Sequence, residues 1–127
     1  MSVYSIGVDL TDIARIEAVI ARQGERFLKR IYTEAEIAYC RSKGAPAESF
    51  AARFATKEAL FKATGKGFAE RLRWTDVEVV TDERGRPFVR LHNEAARLLA
   101  GKRVHLSLSH AGDMAIAMVV VDDAPSP

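Results

Sequence analysis

The stretch from Phe50 to Ala63 constrains this chain more than any other. Alanine, phenylalanine and leucine dominate it, the composition of a buried helix. Yet Lys57, Glu58 and Lys62 lie inside it, and a charge taken out of water is costly unless something pairs with it. Any fold of this sequence must therefore bring partners to that helix. Glu58 and Lys62 stand four apart on one face, glutamate first, so an i,i+4 salt bridge is one way to satisfy them. Lys57 needs a different partner, with Glu48, Asp76 or a neighbour as candidates.

The rest of the chain reads as short elements with clear punctuation. Tyr4 to Leu10 alternates as a strand, with Ile6, Val8 and Leu10 on one face and Ser5, Gly7 and Asp9 on the other. Asp9 falls near its end, and Gly7 leaves room for something to approach. A helix is expected from about Asp12 to Arg30, with Ile13, Ile16, Val19, Ile20 and Phe27 on one side. Arg15, Arg22, Arg26, Lys29 and Arg30 mostly share the other. Such a basic face is either simply solvated or a docking surface for an acidic partner. Thr33 and Glu36 form a capping box for a short helix to about Ser42, broken by Gly44-Ala45-Pro46.

The long helix should start near Ala47 and stop at Gly65 or Gly67. Thr75 to Thr81 and Phe88 to Leu91 read as strands about the turn Asp82 to Pro87. Asn93 is expected to cap a helix ending at Gly101. Arg103 to His110 and Met114 to Val121 form a hairpin. The expected architecture is a single compact α+β domain over residues 1–121, with an antiparallel sheet and a long central helix. Residues 122–127 read as a polar, disordered tail.

Composition narrows the function classes. At 127 residues with 48% hydrophobic and 28% charged content, this is an ordinary soluble globule of one domain. No signal peptide is visible, and the longest apolar run is far too short to span a bilayer. One cysteine, Cys40, allows no intrachain disulfide. These features point to the cytoplasm. The net charge of +2 implies no bulk field for nucleic acid.

Three motifs stand in a fixed order: Gly7-Val8-Asp9, then Arg53-Phe54-Ala55-x-Lys57-Glu58-Ala59-x-x-Lys62-Ala63-x-Gly65-x-Gly67, then Ser107-Leu108-Ser109-His110. Together they resemble the 4′-phosphopantetheinyl transferases, in the manner of the short holo-acyl-carrier-protein synthase branch, from about Tyr4 to about Val121. The resemblance implies transfer of 4′-phosphopantetheine from coenzyme A to a serine of an apo acyl carrier protein, in fatty acid biosynthesis. It implies that Asp9 and Glu58 hold Mg2+, and that Asp9, Glu58 and Lys62 form the catalytic set.

Coenzyme A would be held by Arg53, Lys57, Lys62, Gly65, Gly67 and His110. For Lys57 a fold-closing ion pair competes with that role; for Gly65 and Gly67 a plain helix stop does. Thr11 stands where some relatives have a further acid, so water would complete the metal's coordination. Ala111 stands where the family often has a hydroxyl after the histidine. Acyl carrier proteins are acidic, so Arg15, Arg22 and Arg26 gain a partner. A homotrimer with sites between subunits is implied as well. The rival readings are a transferase for polyketide or peptide synthetase carrier domains, and a non-catalytic module binding nucleotides or acidic proteins.

Overall fold

The computed structural model describes residues 2–65 and 71–123. Strand β1 (Val3–Asp12) leads into helices α1 (Ile13–Gln23), α2 (Glu25–Ile31) and α3 (Glu34–Arg41), then the long α4 (Pro46–Thr64). A 3-10 turn over Trp74–Asp76 precedes β2 (Val77–Thr81) and β3 (Pro87–Leu91). Helix α5 (Asn93–Leu98) and the hairpin of β4 (Arg103–Ala111) and β5 (Met114–Asp122) complete the chain. The main sheet is antiparallel in the order β1-β5-β4, and β2 and β3 form a separate two-stranded ribbon. This is the expected α+β domain, with an antiparallel sheet packed on a long helix.

Helix α4 is buried on nearly every side. Phe50, Ala51, Ala55, Ala59, Leu60, Phe61 and Ala63 all lie in the core. One flank packs with β5, whose inward Ala115, Ala117, Val119 and Val121 are fully buried. The other flank meets α1, α2 and α3 through Ile16, Leu28, Ile31, Tyr32 and Ile37. Gly65 ends the helix in the left-handed conformation at φ 72° and donates its N–H to the Lys62 carbonyl.

The approach of β1 to α4 depends on Gly7. A Cβ there would stand 2.0 Å from the Ala59 carbonyl oxygen. The small and polar face of β1 therefore packs inward, and its apolar face points out. Ile6, Val8 and Leu10 are 67%, 54% and 60% exposed, and Met118 on β5 joins them.

The expected helix from Asp12 to Arg30 is two helices. Gly24 turns the chain at φ 60° and ψ −136°, outside helical space, so α1 stops and α2 restarts. Asp12 caps α1, accepting from the Ala14 and Arg15 N–H groups at 3.0 and 3.3 Å. Asn93 does not cap α5; His92 holds that position, and the Asn93 amide donates instead to Asp76. Strand β5 runs one residue further than read, through Asp122, and residues 124–127 lie outside the described residues.

Lys57 is the largest departure from the expected ligand set. Its side chain is fully buried, and its ammonium donates to Glu36 Oε1 at 2.8 Å and to the Trp74 and Val77 carbonyls. The resemblance placed it among the coenzyme A contacts, but it faces the interior and closes the fold. Its partner is Glu36, which neither spacing nor motif had offered. Glu36 Oε1 also accepts from the Thr33 N–H in the capping box, and Oε2 from the Val79 N–H. Desolvation holds the Lys57 ammonium below its ordinary pKa against the attraction of Glu36.

Two stability predictions follow from this packing. Gly7→Ala should cost about 1–3 kcal/mol, because backbone rather than a yielding side chain occupies the space; a lower thermal midpoint is the readout. Lys57→Met should cost about 3–5 kcal/mol in urea unfolding, because it strands the buried Glu36 carboxylate. A Lys57→Met protein of unchanged stability would show that the pair holds nothing together.

Candidate active site

Asp9 and Lys62 meet where β1 crosses the end of α4. The Lys62 ammonium donates to Asp9 Oδ1 at 2.8 Å and to the Val8 carbonyl at 3.2 Å. The Thr11 hydroxyl donates to Asp9 Oδ2 at 3.3 Å, so both carboxylate oxygens have a partner. Two facts of sequence put them there: Gly7 admits α4, and the strand period returns Asp9 to the same inward face. The Asp9 hydrogen bond raises the Lys62 pKa above its ordinary value.

Glu58 lies one turn before Lys62 and borders a cavity of about 120 Å3 with Thr11, Asp12, Arg15, Ile16 and Phe54. The expected Glu58–Lys62 bridge does not form, because Lys62 turns to Asp9 instead. Burial, and then the charge of Asp9, push the Glu58 carboxyl above its ordinary pKa, against the pull of Lys62 and Arg15. Two neighbouring carboxylates, whose charges raise the cost of ionising both, suit a hard divalent cation. Mg2+ takes one or two carboxylates and leaves its remaining positions to phosphate and water. Among the described residues no group of three or more His, Cys, Asp and Glu gathers as a metal cage, so a more heavily chelated metal has no such donor set there. Asp9 and Glu58 fit Mg2+.

Arg53 and His110 lie elsewhere. They border a second cavity, of about 170 Å3, with Tyr39, Glu48, Ser49 and Ser109. Arg53 is only 4% exposed, its guanidinium lies 4.3 Å from the Tyr39 ring centroid, and one nitrogen donates to Thr81 at 3.2 Å. Its Nε is buried with no hydrogen-bond partner among the described residues. His110 Nδ1 sits 3.6 Å from Glu48. Five residues separate Arg53 from Glu58, which turns them about 140° apart around the helix. Within one chain, Arg53 and His110 therefore border a different cavity from Glu58.

Arg15 reaches the rim of the Glu58 cavity, while Arg22 on α1 and Arg26 on α2 are exposed. Gly65 caps the helix, and Gly67 lies outside the described residues. Tyr39, which forms a platform for Arg53, went unnoticed in the sequence. It carries no motif, and an aromatic in a short helix reads simply as core.

Known proteins resemble this chain over nearly all of its length. A family model described as the 4′-phosphopantetheinyl transferase superfamily matches residues 5–119. A holo-[acyl-carrier-protein] synthase of Koribacter versatilis is 46% identical over 124 residues, 95% of this chain and 99% of that protein. The crystal structure of the Neisseria meningitidis holo-[acyl-carrier-protein] synthase superposes with a TM-score of 0.86 at 31% identity, covering 95% of this chain and 99% of that one. The Helicobacter pylori enzyme, solved in complex with coenzyme A, superposes at 0.82 with 34% identity, covering 92% and 99%. Matched by the family model over residues 5–119 and 46% identical to such a relative over 95% of its length, this chain belongs to the 4′-phosphopantetheinyl transferase superfamily.

Proposed function

We infer that this protein is a holo-acyl-carrier-protein synthase, which moves 4′-phosphopantetheine from coenzyme A to a serine hydroxyl of an apo acyl carrier protein. The observation that carries this reading is Asp9 held by Lys62 at 2.8 Å beside Glu58, in a chain 46% identical to such an enzyme. The serine oxygen attacks the phosphorus on the pantetheine side of the pyrophosphate. The bond from that phosphorus to the bridging oxygen breaks, and adenosine 3′,5′-bisphosphate leaves with the oxygen.

Each residue then has a task. Asp9 and Glu58 would hold Mg2+, which when bound neutralises charge on the pyrophosphate. Lys62, more than half exposed at its side chain, reaches from Asp9 toward the same phosphates, where charge stabilisation contributes most to phosphoryl transfer. Either Asp9 or Glu58, both beside the Lys62 ammonium, would accept the proton of the serine. The buried, unsatisfied Nε of Arg53 and the nearby His110 suit the adenosine 3′-phosphate. Arg15, Arg22 and Arg26 meet the acidic carrier. Among the described residues no helix is long and apolar enough to cross a membrane.

The working enzyme is a homotrimer in this reading. Outward Ile6, Val8, Leu10 and Met118 form an apolar strip of the kind that copies of a chain bury against each other. Separation of the two cavities around α4 supports a site completed by a neighbour, with Asp9, Glu58 and Lys62 from one subunit facing Arg53 and His110 of the next.

The direct test incubates the protein with coenzyme A, Mg2+ and apo carrier, then weighs the carrier for added phosphopantetheine. Glu58→Gln and Asp9→Asn should each lower turnover by about a hundredfold or more while leaving the fold intact. A folded Glu58→Gln enzyme with near-native turnover at saturating Mg2+ would reject the metal assignment. Assembly is tested by mixing inactive Glu58→Gln with inactive Arg53→Ala: hybrid trimers should regain part of the activity. No recovery after subunit exchange, or a fully active monomer by light scattering, rejects the shared site.

A further inference from the structure

The cavity bordered by Arg53 and His110 contains a group that an anion site would not be expected to hold. Among the described residues that line it, Glu48 is the one acid. Glu48 lies in the first turn of α4, just after Pro46 opens the helix, and its Oε1 stands 3.6 Å from His110 Nδ1 on β4. Arg53 keeps a buried Nε without a hydrogen-bond partner among the described residues. The carboxylate therefore sits against the exposed imidazole and leaves the buried guanidinium N–H unanswered.

Position on the helix gives Glu48 one plain role. An acid in the first turn is favoured by the helix dipole, and Ala45 at the N-cap offers no side-chain hydrogen bond to the helix start. That role needs no particular neighbour. A carboxylate among the groups that would receive a phosphate has a further effect, because its charge opposes the ligand's. The Glu48 and His110 side chains are 41% and 56% exposed, so their pair is weak and opens readily.

We propose that Glu48 is a competitor built into the nucleotide site: it holds His110 Nδ1 in the free protein, yields it to the 3′-phosphate of coenzyme A, and takes it back as adenosine 3′,5′-bisphosphate departs. The proposal rests on the transferase reading given above. Substrate and product carry the same 3′-phosphate. Holding that group more tightly lowers KM and slows release without favouring the transition state. Arg53, whose Nε has no partner to exchange, is the fixed contact, and Glu48 limits the total hold. Glu48 thus sets nucleotide affinity from a cavity other than the one that Glu58 borders.

Calorimetric titration of the intact protein measures dissociation constants for adenosine 3′,5′-bisphosphate, coenzyme A and dephospho-coenzyme A, which lacks the 3′-phosphate. Glu48→Gln keeps the shape and removes the charge. It should tighten both 3′-phosphorylated ligands about three- to fivefold, the scale of an exposed ion pair, and leave dephospho-coenzyme A unchanged. The inhibition constant of the bisphosphate in the transfer reaction should fall by the same factor. Loss of a dipole contribution alone would lower the thermal midpoint and move none of these constants. In a His110→Ala background the added Glu48→Gln should have no effect, and Glu83→Gln in the β2–β3 turn should change nothing. Unchanged or weaker bisphosphate binding by a folded Glu48→Gln protein overturns the proposal. So does an equal change for dephospho-coenzyme A, which would set Glu48 against the base or ribose, or tightening that persists undiminished without His110. A wild-type protein that binds coenzyme A and dephospho-coenzyme A equally overturns the competitor and the 3′-phosphate assignment together, while the mass of the carrier still judges the transferase reading separately.

Discussion

The approach of β1 to α4 at Gly7 governs the arrangement of the site. With the Ala59 carbonyl only 2.0 Å from where a Cβ would stand, strand and helix come as close as a missing side chain permits. That closeness lets Asp9, two residues along the same inward face, meet Lys62 at 2.8 Å one turn further along the helix. It also turns the apolar face of β1 outward, since only its small and polar face can enter so narrow a space. One backbone contact therefore sets both the Asp9–Lys62 pair and the strip proposed to join subunits.

Two lysines on one helix show how burial decides a role. Lys57 and Lys62 are five residues apart, about 140° around the axis. The first is fully enclosed and could persist as a charge only by gathering Glu36 and two backbone carbonyls. It ties α3, α4 and the segment before β2 together. The second has its head in solvent and its partner at the strand. Identical side chains in one motif thus end in opposite environments.

Glu58 is the complement of these. It has neither the full enclosure of Glu36 nor the committed partner of Asp9. Partial burial and a neighbouring carboxylate raise its proton affinity. Arg53, by contrast, is buried, stacked on Tyr39 and left with one unanswered N–H. A buried donor without an acceptor is costly. A phosphate oxygen or a neighbouring subunit's group would relieve that cost.

The sequence by itself determined most of the elements and named the candidate site residues. Alternation about Gly7, the capping box at Thr33, the stop at Gly65 and the β4–β5 hairpin are local signals, and each appears in the fold. Glu58 and Lys62 stood out because charges in an apolar helix demand an explanation, and the Gly7-Val8-Asp9 motif added Asp9 from the strand. Tertiary structure decided the pairings. Spacing favoured Glu58 for Lys62, yet Asp9 won because Gly7 brought the strand within reach. Lys57 found Glu36, 21 residues away in sequence, which no local rule connects. A period of two separates the faces of β1 without saying which is buried; the shape of α4 settled that. Gly24 was visible as a glycine, but whether it would bend or break the helix depended on how α1 and α2 each pack against the rest. Separation of the Arg53 cavity from the Glu58 cavity is likewise a consequence of helical rotation within a packed core, where distance along the chain no longer measures distance in space.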